Sequence, residues 1–335
     1  MSRHPLVSVI IPAYNRAAWV REAAASVLAQ TWREFELLVV DDGSTDATLE
    51  ALAPFRWQLK LFRRRSRRGV AAARNLGAAA ARGQWLAFLD SDDLWLPDKL
   101  ARQMAYLARH PDLLICQTDE TWLRRGVRVN KPRTHEKVEG RIFLQSLKRC
   151  CVSPSAVILH RRVFAAAGGF DEGLPAAEDY DLWLRLSWRY EVGLVPEALV
   201  LKRGGHPDQL SRQWGLDRFR IRALTKLLGE PGLPPAYREA AACTLAKKCA
   251  IYAQGCDKRG KTAEALFYRR LADLAAAANV GAASPRPPED EENSSRPYPL
   301  TLTFLAIGSY NLGGRHLRCF TALRTAKKQR KRSHG

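Results

Sequence analysis

Short apolar segments alternate with longer segments of helical spacing over the first third of the chain. Five apolar runs, rich in leucine and β-branched residues, have the length of strands that are buried on both faces. They are Val7–Ile11, Phe35–Val40, Leu59–Phe62, Trp85–Leu89 and Leu113–Cys116. Because helical patterns separate these runs, we predict an α/β fold with a Rossmann-like, mostly parallel sheet flanked by helices.

Helical spacing is clearest at 17–30, where apolar side chains recur on one face. Further helices are predicted at 47–53, 70–81 and 97–109, the last with Pro97 in the first turn, where proline is favoured. Each of these helices falls between two predicted strands, which is the order that a parallel sheet requires.

The pattern becomes mixed in the second half of the chain. Strands are predicted at 156–159, 192–195 and 198–201, and an amphipathic helix at 178–190. From about residue 213 to 280 the chain is alanine-rich, basic and helical in pattern. The following Pro/Glu/Ser-rich stretch predicts a disordered linker, and a basic tail follows it.

The chain carries 54 Lys+Arg against 34 Asp+Glu, a formal net charge of +20. Such an excess favours an anionic partner, which could be a nucleotide, a phospholipid surface or a nucleic acid. No helix-turn-helix or RNA-recognition motif is evident, so nucleic acid is not the expected partner.

Cysteine usage and hydropathy predict a cytoplasmic protein. The seven cysteines are scattered and form no C-x-x-C pair, which argues against a zinc ribbon and a disulfide framework. No signal peptide precedes the apolar run at Val7, and no apolar run approaches the roughly 20 residues of a spanning helix. The Lys/Arg run at 327–332 favours peripheral contact with the inner face of the cytoplasmic membrane.

Polar loops follow three of the predicted strands at their carboxyl ends. Pro12–Asn15 follows the first strand, Asp41–Asp42 the second and Asp90–Asp93 the fourth. A single loop of this kind is equally consistent with a turn or a helix cap. In an open α/β sheet, however, ligands bind beyond the carboxyl ends of the strands, so three such loops at one rim favour a binding site.

Asp90 and Asp92 are separated by one residue, Ser91, where a buried strand ends. This spacing lets carboxylates approach one hard cation, such as Mg²⁺ or Mn²⁺, and leaves positions for phosphate oxygens and water. A cation held in this way neutralises a diphosphate leaving group. An Asp-x-Asp motif alone is weak, but its place after an apolar strand strengthens the prediction.

Four segments occur in a characteristic order: Ser8–Asn15, Val39–Asp46, Ala73–Gly77 and Phe88–Asp93. In order and spacing the chain resembles the inverting family 2 glycosyltransferases, which have the GT-A fold of the nucleotide-diphospho-sugar transferase superfamily. Gly168–Asp171, followed by Glu178–Trp183, resembles the acceptor-side half of the same family. The resemblance covers roughly the first 210 residues and is specific for the family, but not for the donor sugar or the acceptor.

The resemblance implies a nucleotide-binding set of side chains. Tyr14 would lie against the nucleotide base, with Pro12 and Asn15 shaping the same wall. Asp42 would accept a hydrogen bond from uracil or an equivalent base edge. These roles make a UDP-sugar the first expectation for the donor.

The resemblance also implies roles on the diphosphate side of the site. Arg74 would lie near the nucleotide or its phosphates, although it is also consistent with a solvated helix charge. Asp90 would contact the ribose, and Asp92 would bind Mn²⁺ or Mg²⁺ at the diphosphate. His206 would contact the metal or diphosphate once its glycine-containing loop closes, and is equally consistent with an exposed loop histidine.

For catalysis, the resemblance implies that Asp179 is the general base and that its neighbour Glu178 takes part in acceptor binding. A sugar hydroxyl is a poor nucleophile, so a positioned carboxylate must take its proton as the new bond forms. Attack opposite the departing diphosphate inverts the anomeric configuration. Composition alone favours a simpler interpretation, in which both acids complement the dipole of a helix N-terminus.

The expected organisation is a catalytic domain at 1–212, with a nucleotide-sugar half at about 1–117 and an acceptor half at about 118–212. A C-terminal α-helical extension would span 213–281, a disordered linker 282–299 and a basic tail 300–335. The predicted function is metal-assisted transfer of a sugar to a saccharide or lipid-linked acceptor in surface polysaccharide or lipopolysaccharide synthesis.

Two alternatives belong to other classes. A nucleotidyltransferase also combines an α/β sheet with acidic metal ligands, but Pro12–Asn15 lacks the glycine-rich phosphate loop expected after its first strand. A basic protein that binds nucleic acid or membrane without catalysis would explain the charge, but not the four ordered motifs. A catalytically inactive relative is disfavoured by the intact acidic motifs.

Overall fold

A computed structural model describes residues 5–206 and 215–280 of the chain. Its nine strands belong to one sheet. In chain order they are β1 (Val7–Ala13), β2 (Phe35–Asp41), β3 (Lys60–Arg63), β4 (Trp85–Phe88), β5 (Leu94–Trp95), β6 (Ile115–Arg124), β7 (Val127–Val129), β8 (Val157–His160) and β9 (Gly193–Gly204). The strand order is β3-β2-β1-β4-β8-β6-β9-β5, with β7 paired to β6.

The first half of the sheet is parallel, as the alternation of strands and helices predicts. β1 pairs in parallel with both β2 and β4, and β2 pairs in parallel with β3. All seven residues of β1 are buried, because helices cover both faces of the sheet here. β3 is the edge strand, and its side chains are correspondingly exposed or half-buried.

The second half of the sheet is mixed. β8 runs antiparallel to β4, and β6 runs antiparallel to β8. Two reversals restore the original direction, so β6 and its parallel partner β9 point the same way as β1, β2 and β4. The carboxyl ends of these five strands therefore meet at one rim of the sheet.

Ten helices lie in the described part of the chain. They are α1 (Ala17–Leu28), α2 (Thr48–Leu52), α3 (Val70–Ala80), α4 (Lys99–Arg109), α5 (Phe143–Lys148), α6 (Arg161–Ala166), α7 (Glu178–Ser187), α8 (Leu216–Leu228), α9 (Pro235–Asp257) and α10 (Thr262–Val280). Apolar side chains of α1 and α4 pack on one face of the sheet, and those of α3, α6 and α7 pack on the other.

A third apolar cluster joins the C-terminal helices to the rest of the molecule. Tyr180 and Leu184 of α7 pack in it with Phe143 of α5 and with residues of α8, α9 and α10. The predicted helical stretch is thus three helices that cover one side of α5 and α7. Within the described residues, none of the helices has the length and apolar character needed to cross a bilayer. The predicted linker at 282–299 and tail at 300–335 lie outside these residues.

Candidate active site

The loops that follow β1 and β2 are tied together by Asn15. Its backbone N–H donates to the Ser44 hydroxyl at 2.9 Å, and its side-chain Oδ1 accepts from the Thr45 backbone N–H at 2.9 Å. Asn15 is in the left-handed region, with φ of 52°, which asparagine tolerates better than most residues. This lock fixes the position of the neighbouring Tyr14. Pro12 is buried within β1 and ends its apolar run.

The carboxylate of Asp42 is buried and holds the loop that leads from β3 to α3. It accepts hydrogen bonds from the backbone N–H groups of Arg68, at 3.0 Å, and Gly69, at 2.7 Å, and Arg64 lies 3.4 Å away. The same loop brings the guanidinium of Arg67 over the Tyr14 ring, 4.2 Å from its centroid. Tyr14 and Asp42 therefore share one wall, and the contact of Asp42 with a base edge stays a prediction.

Arg74 connects the two predicted halves of the site. Its Nη2 donates to Asp90 Oδ1 and its Nη1 donates to Glu178 Oε1, both at 2.6 Å. The side chain is only 3 % exposed, so the alternative of a solvated helix charge is wrong. Burial alone lowers the pKa of Arg74, but the two carboxylates outweigh it and raise the pKa above its ordinary value. Arg74 therefore remains a cation between two acidic groups.

The next residue, Asn75, makes a second connection between the halves. Its Nδ2 donates to the carbonyl of Phe170, and its Oδ1 accepts from the N–H of the same residue, both at 2.9 Å. Gly169 lies so close that a Cβ added there would be 2.8 Å from Asn75 Oδ1. The contact explains why a glycine precedes Phe170, and it holds the segment that leads to α7.

Asp92 and His206 lie together at the rim, although they are far apart in sequence. Asp92 Oδ2 is 2.9 Å from His206 Nε2, because β9 ends beside the loop that follows β4. Burial raises the pKa of Asp92 and the charge of Asp90 raises it further, while His206 and Arg16 oppose this rise. Negative charge is thus concentrated here in a partly buried place.

This donor set fits a divalent cation that is shared with a substrate. In residues 5–206 and 215–280, no three or more His, Cys, Asp or Glu side chains converge as a complete metal site. Mg²⁺ and Mn²⁺ are commonly held by one or two carboxylates together with substrate phosphates, rather than by an all-protein cage. Asp92, with His206 beside it, meets that description, and Asp90 is engaged by Arg74.

Asp93 has a structural role. Its carboxylate accepts from the Ser155 hydroxyl at 2.6 Å and from the backbone N–H of Arg203 at 2.9 Å. Ser155 in turn accepts from the N–H of Asp90 at 3.1 Å. These bonds fix the acidic loop against β9 and the turn that precedes β8, which positions Asp90 and Asp92 for the site.

The second half of the site lies at the N-terminus of α7. Ala177 precedes this helix with φ of 60°, a conformation that costs a non-glycine residue about 1–2 kcal/mol. It turns the chain so that buried Glu178 reaches Arg74, while Asp179 stays partly exposed. Asp179 Oδ2 is 3.4 Å from the thiol of Cys150.

Lys202 is a cation of the site that the motifs do not indicate. Its ammonium lies 4.0 Å from Glu120 Oε1 and 3.3 Å from the Ser153 hydroxyl. Burial lowers the pKa of Lys202, but Glu120 and the more distant carboxylates of the site outweigh this effect and raise the pKa above its ordinary value. Those carboxylates are Asp93, Asp90 and Asp179. Lys202 is thus a second buried cation of the site, in addition to Arg74, and it contacts Ser153 and Glu120 of the predicted acceptor half.

The structure brings the predicted residues together in three groups along one rim: a wall at the ends of β1 and β2, the Arg74 bridge, and the Asp92–His206 pair. Sequence reasoning missed Asn75, Cys150 and Lys202 as contributors. Asn75 lies within a recognised motif and could have been found from it. Cys150 and Lys202 lie in segments whose place in the fold only the structure shows.

Comparison with known proteins identifies a matching family. The model of Glycosyl transferase family 2 matches residues 8–165. An uncharacterized glycosyltransferase of Rickettsia conorii is 33 % identical over 195 residues, which are 58 % of this chain and 32 % of that protein. The chain spans about a third of the length of the first curated relatives that it matches.

Two further similarities come from better-described proteins. The Escherichia coli protein WfgD, a UDP-Glc:alpha-D-GlcNAc-diphosphoundecaprenol beta-1,3-glucosyltransferase, is 32 % identical over 182 residues, covering 54 % of this chain and 69 % of WfgD. The crystal structure of S. aureus TarS 1-349 in complex with UDP-GlcNAc superposes with a TM-score of 0.63 at 20 % identity, covering 82 % of this chain and 88 % of that one. The second similarity is one of fold.

Proposed function

The chain belongs to glycosyl transferase family 2, and we propose that it transfers a sugar from a nucleotide-diphosphate donor to a hydroxyl of a saccharide or lipid-linked acceptor. UDP is the proposed nucleotide, because WfgD is named for a UDP-sugar and TarS was crystallised with one. WfgD is also named for a diphosphoundecaprenol-linked acceptor, which supports a role in surface polysaccharide or lipopolysaccharide synthesis.

The observation that carries the proposal is the double ion pair of Arg74. It joins Asp90, on the predicted donor side, to Glu178, beside the predicted base, through two contacts of 2.6 Å. A transfer reaction requires donor and acceptor groups to be held at a fixed separation, and a buried cation between two carboxylates provides such a rigid link. Neither a simple nucleotide-binding protein nor a helix cap requires this link.

The donor would bind along the wall formed by Tyr14 and Asp42. The base would stack on the ring face that Arg67 now covers, and Asp90 would accept a hydrogen bond from the ribose. A divalent cation at Asp92 and His206 would supply positive charge for the departing diphosphate. Lys202 would add a fixed cation on the acceptor side of the same region.

Asp179 would act as the general base on the acceptor hydroxyl. The bond from that oxygen to the anomeric carbon forms as the bond to the diphosphate breaks, and the hydroxyl proton passes to the carboxylate. Because the nucleophile enters opposite the leaving group, the anomeric configuration inverts. Glu178 is held by Arg74, so it would keep the first turn of α7 in place beside the acceptor.

The donor half of the proposal is tested by thermal unfolding with a panel of nucleotide sugars, with and without Mn²⁺. A ligand at 100 times its dissociation constant stabilises the native state by about 2.7 kcal/mol, which is a readily measured shift. We expect the largest shift with a UDP-sugar and Mn²⁺ together. Asp92→Asn should remove the Mn²⁺-dependent part of the shift, and the exposed Asp112→Asn should not.

The catalytic half is tested with Asp179→Asn. This variant should bind the donor as the wild type does, and turnover of the donor should fall by at least about a hundredfold, the lower range for a general base. Turnover that survives the change would refute the assignment of Asp179. Absence of any nucleotide-sugar binding across the panel would refute the donor site and the proposed function with it.

A further inference from the structure

An unusually basic surface lies at the β3 edge of the sheet. We call residues 56–68 the edge patch; they comprise the turn before β3, β3 itself and the loop that follows. These thirteen positions hold seven lysines or arginines and no aspartate or glutamate. β3 is the terminal strand in the sheet order, so the patch faces outward along one side of the molecule.

Large apolar side chains are exposed within the same patch. Trp57 is 86 % exposed and Leu61 is 44 % exposed, although tryptophan usually buries most of its surface. The guanidinium carbon of Arg56 lies 5.1 Å from the Trp57 ring centroid, so a cation and an indole are presented together. An exposed indole beside basic groups is a combination that suits an interface between apolar and charged surroundings.

The acidic partners of the patch lie mostly beneath it. Four of its basic residues have a carboxylate within 4 Å: Lys60, Arg63, Arg64 and Arg68. Three of the carboxylates, those of Glu36, Asp41 and Asp42, are buried, and Glu172 is more exposed. Arg56, Arg65 and Arg67 have no carboxylate within that distance in the described residues. The surface that a partner would meet is therefore cationic, chiefly through Arg56, Arg65 and Arg67.

Protection of a sheet edge accounts for only part of this pattern. Lysine and arginine on an edge strand discourage pairing with other chains, which explains Lys60 and Arg63. The loop residues Arg64, Arg67 and Arg68 contact Asp42 and Tyr14 of the candidate site. Neither role explains the exposed indole outside the strand, or Arg56 and Arg65. Those features suit a partner that accepts both an aromatic ring and cations.

We propose that the edge patch binds the surface of an anionic phospholipid bilayer. Tryptophan favours the headgroup level of a bilayer, where one end of its ring contacts apolar chains and the other end contacts water. Arginine binds phosphate through two parallel N–H groups, and each basic residue near an anionic leaflet adds to the attraction. Leu61 adds an aliphatic contact, which acyl chains match and a nucleic-acid backbone does not.

The edge patch also reaches the candidate active site. Arg67 covers the Tyr14 ring, and the backbone of Arg68 holds Asp42. A bilayer bound to the patch would therefore lie beside the rim at which a lipid-linked acceptor is proposed to react. The lipid contact itself rests on the patch and not on the transfer reaction.

The test is co-sedimentation of the full-length protein with vesicles of phosphatidylcholine, with and without phosphatidylglycerol. Two double variants probe the patch, Trp57→Ser with Leu61→Ser, and Arg56→Glu with Arg65→Glu. We expect Arg56→Glu with Arg65→Glu to weaken binding to the phosphatidylglycerol vesicles at least about twenty-fivefold, since each of the two basic residues near such a surface contributes about a fivefold factor. Trp57→Ser with Leu61→Ser should weaken it about tenfold, because two exposed apolar side chains are lost from the contact. All these side chains are exposed, so far-ultraviolet circular dichroism should match that of the wild type.

The matched control is Arg109→Glu with Arg162→Glu, which changes the net charge equally at exposed positions outside the patch. It should keep most of the binding. An equal loss in the control would reduce the effect to overall charge, and unchanged binding in both patch variants would assign lipid contact to another segment. Either result overturns the proposal. It is also overturned if the patch variants weaken binding to duplex DNA but do not weaken binding to vesicles.

Discussion

The thiol of Cys150 is the neighbour that most directly reports on the proposed base. It lies 3.4 Å from Asp179 Oδ2 and 3.2 Å from the carbonyl of Val152, two acceptors for its single proton. Burial raises the pKa of Cys150 well above its ordinary value, and the charge of Asp179 raises it further. Since the thiolate is the reactive form, this thiol should react slowly at neutral pH.

Replacing Asp179 should therefore make Cys150 more reactive. In Asp179→Asn the nearby negative charge is gone, so the pKa of Cys150 falls and its thiolate fraction at pH 8 rises. We expect iodoacetamide to modify Cys150 about three to ten times faster, since a tenfold change corresponds to one pKa unit. Peptide mass spectrometry after timed alkylation measures this rate.

Exposed Cys243 serves as the internal reference, and its rate should be the same in both proteins. Glu172→Gln removes a negative charge that is not beside Cys150 and should leave the Cys150 rate unchanged. A Cys150 rate that is equal in wild type and Asp179→Asn would contradict the contact between the two side chains. This experiment tests the geometry without assuming any substrate.

The predictability of the site differs from residue to residue. Asp90 and Asp92 follow a buried strand at a spacing that suits a shared ligand, so the sequence was sufficient to predict where they lie. Arg74 was ambiguous, because the motif does not show that its guanidinium would be buried between two carboxylates. Cys150 and Lys202 were missed because their neighbours come from distant segments and neither lies in a periodic or recognised motif.

At the scale of elements, α4 contains an unusual buried lysine. Lys99 is fully buried, its ammonium donates to Gln103 Oε1 at 2.7 Å, and it lies 4.0 Å from the Trp95 ring centroid. Burial lowers its pKa to about 7, although nearby Cys116 opposes this. In the unfolded chain its pKa returns to about 10.4, so between these values the unfolded state binds more protons.

The stability of the protein should therefore respond to pH through Lys99. Because the unfolded state binds the extra proton, the free energy of unfolding rises with pH between about 7 and 10. The difference between wild type and Lys99→Met should change in favour of the wild type by about 1 kcal/mol per pH unit in this window. Urea denaturation of both proteins at pH values of about 7.5, 8.25 and 9 measures how this difference in the free energy of unfolding changes with pH.

The slope of that difference with pH is the decisive quantity, and its value at one pH is not, because Lys99→Met also removes the hydrogen bond that Lys99 donates to Gln103 Oε1. The control Lys258→Met removes an exposed lysine, and its difference from wild type should not vary with pH. A flat difference for Lys99→Met would mean that its ammonium has the same proton affinity in both states.

Helix α3 offers a second prediction, at a position where the helix approaches the sheet closely. A Cβ added at Gly77 would lie 2.5 Å from Ile10 Cγ2 and 3.3 Å from Val40 Cγ2. Gly77→Ala should therefore lower the free energy of unfolding by about 1–3 kcal/mol, the usual cost of overpacking. This loss should occur although alanine favours helices by about 1 kcal/mol.

The matched change is Gly255→Ala in α9, where the nearest atom is Arg259 Nη1 at 3.3 Å, the end of a flexible side chain. This variant should be neutral or more stable by up to about 1 kcal/mol, because only helix propensity changes. Urea denaturation of both variants separates packing from propensity. A Gly77→Ala protein as stable as Gly255→Ala would show that α3 does not pack on β1 as closely as described.

The elements that sequence patterns predict well are the ones buried on both faces. β1, β2 and β4 lie within one or two residues of their predicted bounds. The predicted strands at 192–195 and 198–201 are instead one strand, β9, whose ladder with β6 absorbs an irregularity near Asp119. β5 and β7 were not predicted, because two or three residues are too few to show a period, and the six-residue helix α5 was missed as well.

At the scale of the whole molecule, the predicted GT-A α/β fold with a C-terminal helical extension is confirmed by the structure and its similarity to TarS. The domain boundary at 212 stays a prediction. Helix α7 connects the sheet to the C-terminal helices. Its residues Leu182, Trp183 and Leu186 pack on the sheet, and Tyr180 and Leu184 pack with the C-terminal helices. Sequence alone could not show this division, because α7 is apolar on more than one face.

A helix shared by two cores should couple their unfolding. Leu224 of α8 is fully buried in the third cluster, so Leu224→Ala should cost about 2–5 kcal/mol, the usual range for a buried leucine. Cys249 in α9 is buried in the third cluster, and Cys116 in β6 is buried on the face of the sheet opposite α7, so together they show whether the sheet and the C-terminal helices unfold as one. We expect both thiols to become reactive at the same urea concentration, and Leu224→Ala to lower that concentration equally for each.

Pulsed thiol labelling with mass spectrometry follows the two cysteines in one sample. Leu266→Ala, at an exposed position of α10, is the matched control and should leave both transitions within about 0.5 kcal/mol of wild type. If Leu224→Ala exposes Cys249 earlier while Cys116 stays protected, the C-terminal helices unfold as a separate unit. A common shift would instead mean that the sheet and the C-terminal helices, which share α7, unfold as one cooperative unit.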